Sequence, residues 1–171
     1  MPYTDLLRIT VLLTGAEATA LAGVAVVAVN RSSDATTILV AGVWWLVAIA
    51  IGFFLGRPSR AADGVRDVLT EARTATSLPS ETPARIAVGR LWPIALTALA
   101  AGIVGIFYPV VAAIGAGYAL LVSLAWHTRE AAVLGIEQRD GVKFYVVPNS
   151  ALRPIKLVRT PGLRADRLHH A

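Results

Sequence analysis

Residues 91–126 run 36 positions without one charged side chain. A helix that crosses the hydrocarbon core of a bilayer needs about 20 apolar residues. The run is too long for one ordinary span and fits a tight hairpin of two short ones. Tyr108-Pro109 stands at its midpoint, and proline disfavours helix at the residue before it, so the turn is placed there. Two more apolar segments, residues 9–29 and 35–56, precede it. The spacing therefore predicts four transmembrane helices arranged as two helical hairpins.

Composition supports this class. Apolar residues make up 56% of the chain and charged residues 16%, whereas soluble domains hold about 45–50% and about 25%. Disorder of most of the chain and a conventional soluble enzyme domain are excluded. The chain has no cysteine, which removes disulfides, cysteine-ligated metals and thiol chemistry. Fourteen of the 16 basic residues are Arg, and with abundant Ala and Gly this has the look of a high-GC bacterial genome. The net charge of +5 does not point to nucleic acid, because the cations flank apolar runs instead of forming a basic reading face.

Orientation follows from the positive-inside rule. Residues 57–90 carry six Arg against Asp63, Asp67, Glu71 and Glu81, and the segment from Arg129 onward carries eight basic residues against four acidic. The link between the first two spans has only Arg31 and Asp34. The middle loop, the tail and hence the N-terminus are expected in the cytoplasm of a bacterial plasma (inner) membrane. Trp92 and Trp126, beside Arg90 and Arg129, suit the interface at that boundary. Trp44-Trp45 falls near the middle of a span, which suggests packing within a bundle or at an oligomer seam. Residues 1–29 also invite comparison with a cleaved signal peptide. The apolar stretch is longer than such a signal needs and is broken by Glu17, so a retained anchor is expected.

On these grounds the chain divides into a first transmembrane hairpin (1–56), a cytoplasmic loop with a short amphipathic helix (57–90), a second hairpin (91–127) and a cytoplasmic β-tail (128–171). In the loop, Val65, Val68, Leu69 and Ala72 share one helical face, suited to the membrane surface or the tail. Residues 77–83 read as a linker. In the tail, two apolar runs bracket Asp140-Gly141, a hairpin signal that would pair Ile136 with Tyr145 and Leu134 with Val147. Residues 154–159 are expected to add a third strand, or the tail adds its edge to another protein.

Few residues carry chemistry. Glu17 is the one ionisable group within a span, where a charge costs on the order of 2.5–3.5 kcal/mol. It is expected to be protonated, paired across helices near Thr97, Tyr118 or Ser123, or in contact with a wet cavity. Gly15, Thr19 and Gly23 recur every four residues as a packing groove on the far side of the helix from Glu17. Gly102 and Gly105, with Gly115 and Gly117, suit close approach within the second hairpin. Arg153, Lys156 and Arg159 are candidate contacts for anionic headgroups or a partner. No phosphate loop, zinc motif or nucleophile elbow is present, so no catalytic, cofactor or metal residue is assigned. The sequence points to a non-catalytic scaffold or accessory subunit with lipid bilayer, homo-oligomer or membrane-complex partners. The alternatives are an oligomeric transporter or channel using Glu17, or a lipid-acting enzyme using Asp63, Asp67 and Glu71.

Overall fold

The computed structural model describes residues 1–32, 35–74 and 82–161. Among the described residues, six helices and three short strands follow in the order α1 (Tyr3–Ser32), α2 (Ala35–Leu55), α3 (Pro58–Thr70), β1 (Arg73–Thr74), α4 (Pro83–Phe107), α5 (Pro109–Trp126), α6 (Arg129–Asp140), β2 (Val142–Val146) and β3 (Leu157–Pro161). The protein is mainly helical, and four of its helices are long and apolar enough to cross a membrane. Tyr108 separates α4 from α5, with Pro109 opening the second helix. Proline is tolerated at that first position, where its missing N–H has no intrahelical role. The linker expected at residues 77–83 lies mostly outside the described residues, but Pro83 opens α4 and residues 83–90 of the expected loop are helical.

The hub of the bundle is α5, which packs against α1, α2 and α4. Consecutive helices α1 and α2 form a hairpin in connectivity only. Near their connecting loop they come together through Ala112 and Ala113 of α5, with Ala25 and Ala41 alongside. Helix α2 is held on α5 by its indoles. Trp44 Nε1 donates to the Ile114 carbonyl at 3.2 Å, and Trp45 Nε1 to the Ala113 carbonyl at 2.8 Å. The midspan pair thus packs within the bundle.

Close approach between helices falls elsewhere than the expected groove on α1. Thr19 and Gly23 are exposed, and a Cβ on Gly23 would meet nothing within 4 Å. The packed face of α1 runs through Thr10, Thr14, Ala18, Leu21 and Ala25. The tight seam is on α2 and the residue that follows it, where Ala48, Gly52 and Gly56 repeat every four residues. Ala48 is fully buried, a Cβ on Gly52 would lie 2.8 Å from Leu124 Cβ, and Gly56 abuts the Leu124 carbonyl. In the second hairpin, Gly105 meets Ala112, whereas Gly115 and Gly102 both face the Leu21 side chain and Gly117 faces Trp44.

A second core forms at one end of the bundle. Met1, Tyr3, Leu6 and Leu7 of the N-terminal segment join Val65 and Leu69 of α3, Val133 of α6, and Phe144, Val146 and Leu157 of the strands. At 1.5 Å per residue the 30 residues of α1 reach about 45 Å, beyond a hydrocarbon core of about 30 Å. Its first two turns therefore belong to this cap. The amphipathic face of α3 is covered as the sequence pattern requires, with Ala61, Val65 and Leu69 buried against α6.

The cap sheet has the order β1-β3-β2. Strands β2 and β3 are antiparallel, with Tyr145 opposite Val158, and β1 runs parallel to β3. The expected hairpin about Asp140-Gly141 does not form. Residues 129–140, which include the expected strand 133–138, are the helix α6, so the Ile136–Tyr145 and Leu134–Val147 pairs are absent. Gly141 has φ 64° and ψ 31° and caps that helix in the left-handed region. A type I′ turn needs positive φ at two residues, and here only the glycine supplies it. The strand expected at 154–159 runs over Leu157–Pro161 instead, and Val147 N donates to the Lys156 carbonyl at 3.0 Å where the ladder ends.

Candidate functional site

Positions i, i+3, i+4 and i+7 share a helix face, and Thr14, Glu17, Ala18 and Leu21 have that spacing on α1. The face turns toward α4 and α5. There Glu17 lines a cavity of about 320 Å³ together with Thr14, Thr97, Ala101, Gly115 and Tyr118. Glu17 therefore lies on the packed side of α1, and the Thr19–Gly23 side is outward, the reverse of the expected packing groove.

Glu17 Oε1 is shielded from solvent and has no hydrogen-bond partner. The hydroxyls around the cavity do not serve it. Thr14 Oγ1 donates to the Thr10 carbonyl at 2.9 Å and Thr97 Oγ1 to the Ile94 carbonyl at 2.8 Å. Each commits its single proton to its own helix and keeps only acceptor capacity. Of the three neighbours expected from sequence, Thr97 and Tyr118 share the cavity with Glu17. Ser123 instead donates to the Val11 carbonyl at 3.3 Å. Among the described residues lining the cavity there is no Arg, Lys or His. Tyr118 also connects the cavity to α2, because its ring lies 5.1 Å from that of Trp44. Thr14 and Leu21 were not singled out from sequence, although their spacing from Glu17 places them on its face.

The basic candidates lie in the cap. Arg153 and Lys156 are exposed in the turn between β2 and β3, and Arg159 is exposed on β3 opposite Phe144. The turn is anchored by Arg90, whose guanidinium donates to the Ser150 carbonyl at 3.0 Å and the Arg153 carbonyl at 2.9 Å. Asn149 Nδ2 adds a bond of 2.8 Å to the Pro154 carbonyl. More cations gather where the long helices meet the cap. Arg57 and Arg60 lie over the Phe54 ring at 4.7 and 4.3 Å, and Arg129 lies over Trp126 at 4.3 Å. The β2 edge is partly occupied, since Pro2 bridges Tyr145 and Val146 N donates to the Met1 carbonyl at 3.0 Å. Asp63 and Glu71 are exposed on or beside α3. The Asp67 side chain lies outside the described residues.

Fold and site together define a class, a bundle of four apolar helices with a folded cap at one end and a lone carboxyl in an inter-helix cavity. Compared with known proteins, the chain matches no protein-family model, no curated protein and no solved structure.

Proposed function

We propose that the protein is a non-catalytic scaffold or accessory subunit of a bacterial plasma membrane, with both termini cytoplasmic and its basic cap turned toward a protein partner or anionic lipid. The arrangement of the cap carries this reading. Most of its large apolar residues form an internal core, while Arg153 and Lys156, with the exposed Leu152 beside them, project from a turn whose backbone is held by Arg90. Cations fixed near a charged leaflet gain about 1 kcal/mol each. The Arg–aromatic contacts at the same end of the bundle support that end as the cytoplasmic interface.

The test is site-specific photo-crosslinking in cells from positions 153 and 156, with the exposed Gln138 on α6 as reference. Native-detergent purification and mass measurement then identify the products. The expected result is a discrete protein or anionic-lipid adduct at 153 or 156, lost when the other position is reversed to Glu. Adducts equal at all three positions, or none at 153 and 156, would refute the proposal.

A further inference from the structure

The cavity around Glu17 has a chemistry that the scaffold reading does not use. Its polar groups are a carboxyl with an unpartnered oxygen, two threonine hydroxyls whose protons already serve their own helices and the phenol of Tyr118. An aromatic ring, Tyr118, stands in the wall, and the remaining surface is mostly apolar, as at Leu21 and Ala98. With Glu17 ionised, every fixed polar feature except the tyrosine hydroxyl accepts hydrogen bonds or attracts positive charge. From these features we infer that the cavity is a binding site for a small amphipathic amine in its ammonium form. The N–H groups would face Glu17, Thr14 and Thr97, and the apolar body would lie against the aliphatic wall.

Size and donor type narrow the ligand further. A volume of about 320 Å³ is at the small end of organic ligand sites, which span about 300–1,000 Å³. It is much larger than a bare cation. Hard cations take about six or more oxygen ligands, whereas the cavity presents one carboxylate and three hydroxyl oxygens in an otherwise apolar surround. A quaternary ammonium would leave the threonine acceptors unused. A primary or secondary ammonium satisfies them.

Calorimetry on the full chain in nanodiscs, with heats from empty nanodiscs subtracted, tests the site. The probes are phenethylamine and its neutral isostere phenethyl alcohol. Phenethylamine is expected to bind saturably, and the alcohol and Glu17→Gln each to bind about tenfold weaker or worse, the scale of losing a hydrogen bond to a charged group. Ala98→Leu keeps the carboxyl but narrows the cavity and is expected to weaken the amine as strongly. It decides the matter if Glu17→Gln does not fold. Equal binding of amine and alcohol overturns the inference, as does unchanged amine affinity in either folded variant. So does the absence of saturable binding to folded protein.

Discussion

Gly117→Ala is the substitution whose consequence the geometry defines most sharply. A Cβ on Gly117 would lie 2.5 Å from Trp44 Cδ1 and 2.8 Å from Cε2, about 1 Å inside an ordinary carbon contact of about 3.5–4.0 Å. An indole is rigid, so the ring must move as a unit. The bond from Trp44 Nε1 to Ile114 and the contact with Tyr118 would go with it. Overpacking costs about 1–3 kcal/mol, and an interhelical hydrogen bond in a membrane protein averages about 0.6 kcal/mol. Gly42→Ala on α2 meets nothing within 4 Å and controls for the change in helix propensity. Equilibrium unfolding in mixed detergent, followed by circular dichroism, should place Gly117→Ala roughly 1.5–3.5 kcal/mol below Gly42→Ala, the sum of those two costs. In a Trp44→Ala background the clash has no partner, so the gap should close. A Gly117→Ala variant as stable as Gly42→Ala, or a penalty that persists without Trp44, would refute this account of how α2 is held.

Further tests address the cap and the topology. Gly141→Ala places a Cβ at φ 64° and should cost about 1–2 kcal/mol, whereas Gly141→Asn should cost less, measured by thermal unfolding. Leu7 is 1% exposed, and Leu7→Ala should destabilise the cap by about 2–5 kcal/mol. Hydrogen exchange would register that loss as faster exchange in β2, which shares its core. Arg90→Ala removes the guanidinium nitrogen that donates to both the Ser150 and Arg153 carbonyls, so amides 150–153 should exchange faster while those of α5 do not. The chain has no native cysteine, so single cysteines can be read with an impermeant maleimide on oriented vesicles. Positions 66 and 152 should label from one side and 30 and 108 from the other. Labelling of 108 and 152 from the same side would rule out four spans.

Much of the helical plan was legible because the long apolar runs and the Tyr108-Pro109 break are local features. The cap was less so. Asp140-Gly141 marks equally a hairpin corner and a helix end, and the choice depends on what covers residues 129–140. That cover comes from α3, about 70 positions earlier in the chain. Met1, Pro2 and Arg73-Thr74 supply backbone partners to the sheet that no local pattern announces. The helix seams show the same difficulty. Gly15-Thr19-Gly23 and Ala48-Gly52-Gly56 have identical spacing, yet only the second packs tightly, because Leu124 lies across from it. Glu17 stood out as a lone ionisable group, and its companions Thr97 and Tyr118 were accessible from composition alone. Thr14 required knowing which side of α1 faces inward.

The placement of α5 explains why these features belong together. Within a bilayer, where the proposed function places these helices, there is little hydrophobic gain from pressing one apolar helix on another, so association depends on small residues, close backbones and polar contacts. Helix α5 supplies all three within a few residues. Gly117 and the carbonyls of Ala113 and Ile114 receive the two indoles of α2, while Gly115 admits Leu21 of α1. Tyr118 lies between these contacts, touching Trp44 on one side and the Glu17 cavity on the other. The cavity wall is thus built from the same helix that fixes α2. The Trp44–Tyr118 contact gives an occupant of the cavity a direct physical connection to α2, the one long helix packed extensively against α5 alone.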